Sequence, residues 1–280
     1  MSTKMKIGTE TVHVDMFGSL GELVKYAESN VTFGQSDTRE AWFRDKCMTD
    51  SFASGAELAR HGWHAVRPDV DKLMSSLTER IGERIDYAQV TNYGVTGSIV
   101  DMGRFMQGEP ECMMEFVPEP TERMGRVVRI FVDYGASSQY DAQHFVRRGT
   151  AILALIDTLT KLGVGCEVWG ETAVDGRDST HTTVVKLHDA RDQMDIDGLM
   201  FAIAHPSMLR RMTFSVREMA SNSKGIGAYR GGSYGSTCKM KYATTQDVDV
   251  KIERTENGRS IMMDNPVDWV CQTIDGLGLL

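Results

Sequence analysis

The sequence predicts an α/β fold: a mixed sheet flanked by helices over residues 126–280, preceded by a smaller α+β region over residues 1–125. Three observations predict it. "RVVRIFVDY" (126–134) is an unbroken β-branched and aromatic run, the pattern of a strand buried on both faces. It leads into "YDAQHFVRRGTAILALIDTLTKLG", where Ala142, Phe145, Val146, Ile152, Leu153, Ile156 and Leu159 share one helical face and Gly163 closes the helix. A second strand, "VGCEVWGETAV", follows at once, and a strand–helix–strand unit with so short a crossover pairs in parallel and right-handedly.

The remaining elements follow in chain order. "GSLGELVKYAES" has helical spacing at Leu20, Leu23, Val24 and Ala27, and "SFASGAELARHGW" reads as a serine-capped helix ended by glycine. A third helix spans "RPDVDKLMSSLTERIGERI". "SIVDMGRFMQGEPECMMEFVPEP" gives strand, short helix and strand, and Pro118–Gly125 marks the boundary between the two regions. In the second region "STHTTVVKLHD" is a third strand joined by the turn "DGRD", which predicts an antiparallel strand at a sheet edge. "DIDGLMFAIAHPSMLRRMTFSVREMA" is helical and divided at Pro206. "DVDVKIER" and "RSIMMD" read as strands around "TENG", before a last helix in "NPVDWVCQTIDGLG".

Composition restricts the classes of function. No apolar run approaches the roughly 18 residues of a membrane span, and the N-terminus lacks the apolar core of a secretion signal, which predicts a cytoplasmic protein with no membrane partner. Cys47, Cys112, Cys166, Cys238 and Cys271 lie too far apart for a disulfide framework or a zinc knuckle, so reduced thiols are expected. The chain carries a net charge of -8, yet Met208–Gln246 holds seven bases and one acid. An acidic bulk repels a polyanion, while a local basic patch can still hold one.

From Arg126 onward the order of strand, long helix, strand and antiparallel strand resembles a von Willebrand A domain. The loop "DYGASS" stands where such domains carry their metal-ion-dependent adhesion motif, D-x-S-x-S. Asp133 and Ser137 match the motif, and Gly135 replaces its first serine, so the resemblance implies a degenerate magnesium site. The segments "GAELARHGW", "VDMGRFMQGEPECMMEF" and "RRGTAILALIDTL" also resemble an uncharacterised family of tailed-bacteriophage proteins. That resemblance implies a phage origin and a host-cell cytoplasm, and brings no activity with it.

Four places carry candidate chemistry. The loop after the first strand of the second region could hold magnesium through Asp133, Ser137 and Ser138, with water completing the shell, or could simply cap the helix that follows. "HGWH" sets His61 and His64 three residues apart, although Gly62 ends the helix between them. "ETAVDGRDSTH" gathers Glu171, Asp175, Asp178 and His181, a set suited to acid–base work or to a solvated hairpin tip. The Gly/Tyr-rich stretch Ala220–Tyr242 has neither dinucleotide nor P-loop spacing. It reads first as a flexible glycine and serine surface loop whose tyrosines pack back on the domain. With Arg210, Arg211, Lys224, Arg230, Lys239 and Lys241 for phosphates and Tyr229, Tyr234 and Tyr242 for bases, it also suits single-stranded DNA or RNA. The sequence thus predicts a non-enzymatic binding protein that contacts a protein partner through the von Willebrand A-like region. A single-stranded nucleic-acid-binding protein is the alternative, and an enzyme stands third.

Overall fold

The computed structural model describes residues 2–31, 33–82, 87–120, 126–176, 179–224, 234–254 and 261–279. The chain opens with a hairpin, β1 (Ser2–Ile7) and β2 (Glu10–Phe17), turning at Gly8, whose φ of 61° suits a residue without a side chain. Helices α1 (Leu20–Glu28), α2 (Ala41–Cys47), α3 (Phe52–His61) and α4 (Arg67–Gly82) follow. Ser19 caps α1, and Ser51 caps α3 through a reciprocal pair of hydrogen bonds with Ser54. Next come β3 (Tyr87–Gly94), β4 (Ile99–Val100), α5 (Met102–Met106) and β5 (Met113–Pro120), which form a separate three-stranded sheet ordered β3-β5-β4. None of its described residues enters the apolar core, and Val95, Ile99, Met102, Phe105 and Met106 are exposed.

The second region supplies β6 (Val127–Asp133), α6 (Ala142–Lys161), β7 (Gly165–Asp175), β8 (Thr180–His188), α7 (Ile196–Ala204), α8 (Phe214–Lys224), β9 (Ser236–Cys238), β10 (Val250–Ile252), α9 (Ile261–Asp264) and α10 (Pro266–Gly276). The central sheet runs β1-β2-β8-β7-β6-β10, with β9 paired to the far end of β7. β6 pairs in parallel with β7 and β10, and β8 lies antiparallel to β7. The fold is therefore a mixed α/β sheet flanked by helices.

Two of the expected elements differ from the sequence reading, and β1, β2, α2 and β3 are additions to it. β8 is antiparallel but not an edge, because β2 pairs in parallel along its outer side, from Val12 opposite Thr180 to Phe17 opposite Val185. The segment expected as a strand at 259–264 is helical from Ile261, where Met262 is buried in the core beside α10. Asn265 then caps α10 and Pro266 begins it, so the chain turns from one helix straight into the next.

Alternation along β6 decides what lies on each face of the sheet. Val128, Ile130 and Val132 bury into a large core with Leu23 of α1, Ala56 of α3, Leu77 of α4, Ile152 and Leu155 of α6, Phe201 of α7 and Ile274 of α10. Phe131 points the other way, against Trp169, Met240, Ala243 and Tyr242. The hairpin β1–β2 and the helices α1, α3 and α4 thus share one sheet and one core with residues 126–279. Gly149 lets α6 meet the end of α7 closely, since a Cβ there would stand 2.2 Å from Ala204 Cβ.

The predicted break at Pro206 is present. α7 ends at Ala204, His205 is extended, and residues 208–213 form a π-helical turn before α8 resumes. That wide turn leaves the Met208 carbonyl to accept from the Thr213 hydroxyl at 3.0 Å, and it swings Arg210 and Arg211 to different partners.

Candidate ligand-binding cleft

The loop between β6 and α6 opens a cleft of about 470 Å³ at the carboxyl end of the sheet, where ligands of open α/β sheets commonly bind. Ala136, Ser137 and Ser138 form its floor. Trp42, Phe43 and Lys46 of α2 form one wall, and Arg210, Phe214 and Arg217 form another. Tyr234–Thr237 close the third side, where Gly235 (φ 76°) passes so near Asp175 that a Cβ would stand 2.8 Å from its carbonyl oxygen. Trp42 is 61% exposed.

The cations around this cleft are not equivalent. Lys46 Nζ donates to the carbonyls of Gln139 (3.3 Å) and Tyr140 (3.1 Å). Arg210 donates to the carbonyls of Lys46 and Tyr140 and lies over the Phe145 ring. Both therefore hold α2 against the loop that precedes α6. Arg217 is 1% exposed and makes one hydrogen bond, from Nη2 to Thr172 Oγ1 at 3.0 Å, while its Nε has no partner. Burial pushes its pKa down to about 10, against the pull of Tyr134 and Asp133. No carboxylate belongs to the described lining of the cleft.

Asp133 lies beneath this loop, buried at the end of β6. Its Oδ1 accepts the Gly135 N–H at 2.8 Å and its Oδ2 has no hydrogen-bond partner. Burial raises its pKa to about 7, opposed by Arg148, the Gly135 N–H and Arg254. Arg148, buried on α6, donates to the carbonyls of Ile252 (3.4 Å) and Glu253 (3.2 Å), and burial lowers its pKa to about 10. A Cβ at Gly135 would sit 2.7 Å from Thr172 Oγ1 and 2.8 Å from Asp133 Oδ1, so the serine of the adhesion motif has no room here. Ser137 Oγ accepts from Gln139 N at 3.4 Å. Magnesium needs a near-octahedral shell of oxygens, and a carboxylate set among guanidinium groups with one unmatched oxygen does not fit that cation.

The other predicted residues disperse. His61 pairs with Glu57 (3.2 Å) and His64 with Asp197 (3.0 Å), on either side of Gly62 at the end of α3. Glu171 is buried and its carboxylate accepts three backbone N–H groups, from Lys241, Tyr242 and Ala243, at 2.6–2.8 Å. Asp175 accepts from Thr180, His181 meets Asp15 at 3.0 Å inside the sheet, and Asp178 lies outside the described residues. These groups are separate structural contacts and do not form an acid–base site.

The basic Gly/Tyr-rich set also divides. Arg211 is fully buried, donating four of its five N–H groups to the carbonyls of Ser36, Thr38 and Thr49 and to Thr49 Oγ1, so it is held inside the fold and not turned to a phosphate. The carbonyl contacts of Arg210 make it structural as well. Tyr234 stacks on Phe214 (3.6 Å between ring centroids) and donates to Glu218. Lys241 pairs with Glu10, and Tyr242 packs against Phe131. Lys239 is exposed. Tyr229 and Arg230 lie outside the described residues, as does the Lys224 side chain. Among the residues that line the cleft, motif reading missed Trp42, Lys46 and Arg217. They lie up to 175 positions apart and carry no shared motif.

Compared with curated proteins and with solved structures, the chain has no match in either. A family model described as a domain of unknown function, DUF7192, matches residues 4–279. With nearly every residue inside that match, the chain belongs to the DUF7192 family.

Proposed function

We propose that the protein is a non-enzymatic binding protein that engages another protein at the cleft beside β6. The observation that carries this reading is the cleft itself: an exposed Trp42 at the rim of a concavity with hydroxyl and guanidinium walls. Tryptophan and arginine are the side chains that most often dominate protein–protein contacts. The connection β6-α6-β7-β8, with β10 on the other side of β6, supports the von Willebrand A-like reading of this half. The resemblance to tailed-phage proteins supports a phage origin and action in the host cytoplasm. Among the described residues no helix is long and apolar enough to cross a membrane.

Proteins retained by the chain from infected and uninfected cells would be retested one by one with Trp42→Ala and Lys46→Glu. We expect at least one partner whose affinity falls tenfold or more. Equal retention of every partner by both variants would end this reading. Single-stranded nucleic acid is the second reading, favoured by the exposed Lys239 and by the cationic cleft walls. It predicts oligonucleotide affinity that falls steeply with salt, and no retention of single-stranded DNA or RNA at low salt would remove it.

A further inference from the structure

We infer that the cleft recognises a carboxylate on its ligand, and that Arg217 is the group that receives it. This rests on the reading of the cleft as a protein-binding site. A guanidinium taken out of water is costly unless it is paired and hydrogen-bonded. Arg217 is as buried as any side chain in the core, yet one neutral hydroxyl, Thr172 Oγ1, is its hydrogen-bond partner and its Nε has none. It forms a wall of the cleft at the carboxyl end of the sheet, not part of a sealed core. Asp133 is near enough to pull on its proton equilibrium, but that carboxyl shares its field with Arg148 and Arg254 and titrates near neutrality itself. A positive charge is left facing the cleft without a full counter-charge.

Donor geometry selects the kind of anion. Lys46 and Arg210 keep their charge but direct their donors to backbone carbonyls, as described above, so Arg217 is the guanidinium with donors left for the ligand. The two oxygens of a carboxylate match a pair of guanidinium N–H donors in one plane. Hydroxyls of Ser137 and Ser236 line the same space and can donate to the second oxygen. The ligand is therefore an acidic side chain of a peptide, with Trp42 covering its neighbouring apolar part.

The test uses the full chain, immobilised, and two mixtures of random hexapeptides with amidated C-termini. One mixture has glutamate fixed at the third position and the other has glutamine there. We expect the glutamate mixture to be retained at least tenfold over the glutamine mixture, and Arg217→Met to abolish that preference. Ser236→Trp, which fills the mouth of the cleft without removing the arginine, is expected to abolish retention of both. It also keeps the test decisive if Arg217→Met fails to fold. Equal retention of the two mixtures by the unaltered chain would overturn the inference, as would a glutamate preference that survives both substitutions. Inorganic phosphate that displaces the peptides at equimolar concentration would assign the site to phosphate instead. A partner that is lost with Trp42→Ala but kept with Arg217→Met would defeat the carboxylate inference and leave the protein-binding reading intact.

Discussion

Asp133 shows how much a single buried group can impose on the protein. A carboxyl whose folded pKa rises from its ordinary value to about 7 favours the fold when protonated. Its stabilising contribution is complete below about pH 4 and is lost as the pH rises through 7. The pKa difference corresponds to on the order of 4 kcal/mol across that interval. We expect urea midpoints of the natural chain to fall between pH 5 and pH 8, and those of Asp133→Asn to fall much less over the same range. Parallel curves would mean that Arg148 and Arg254 hold the carboxylate ionised throughout. Gly149 makes a second demand at this scale. Its missing Cβ is what lets α6 touch Ala204, where even the alanine backbone would be 2.4 Å away. Gly149→Ala should lower stability by about 3 kcal/mol, the upper range for overpacking, read as a drop in Tm with unchanged far-ultraviolet dichroism. The sequence shows Asp133 at the end of an apolar strand but not its guanidinium neighbours, because Arg148 and Arg254 come from α6 and from the segment after β10.

At the scale of elements, local chemistry was legible where it is self-contained. Ser51 opens α3 with its hydroxyl and Gly62 closes it with a φ of 82°, and Pro206 separates α7 from the turn that follows. The segment after β9 was not legible, because a residue 70 positions away organises it. Glu171 on β7 gathers the N–H groups of Lys241, Tyr242 and Ala243, which open a short 3₁₀ helix over Tyr242–Thr245. A carboxylate at such a turn accepts donors that would otherwise be orphaned. That anchorage brings Met240 and Ala243 over Phe131 and Val184, so it covers the sheet face opposite the helices. Read from sequence alone, the acid belongs to a polar hairpin tip or an acid–base set, and the glycine-rich stretch to a surface loop or a single-stranded nucleic-acid contact. These readings miss the pairing between them. Glu171→Ala should cost about 3 kcal/mol, since removing one partner leaves buried donors unsatisfied. Amide hydrogen exchange should quicken across residues 240–248 while α6 stays protected. A uniform loss of protection over the whole chain would contradict this local role.

At the scale of the molecule, the sheet is completed by the strands farthest from it in sequence. Alternation in "MKIGTETVHVDMF" puts Met5, Ile7, Val12 and Val14 against Phe131 and Val184 on the far face of the sheet, in a segment where no strand was expected. The edge that this hairpin joins is not visible in the sequence either. Its partner, β8, is about 170 residues downstream, and backbone pairing leaves no residue-specific mark in a sequence. One side-chain contact does mark the junction: Asp15 meets His181 at 3.0 Å, with both buried. A chain starting at residue 19 would expose the outer edge of β8 from Thr180 to Val185 and leave His181 without that carboxylate. An open strand edge is a template for pairing with other chains. We expect the shortened chain to sediment as a self-associating species and to unfold at a lower temperature. Asp15→Asn, which keeps the hairpin, should stay monodisperse with a smaller fall in Tm. These two outcomes separate the backbone contribution of the hairpin from that of its buried pair. A shortened chain that remained monodisperse, with the Tm of the natural protein, would show that β6, β7 and β8 suffice to fix the sheet.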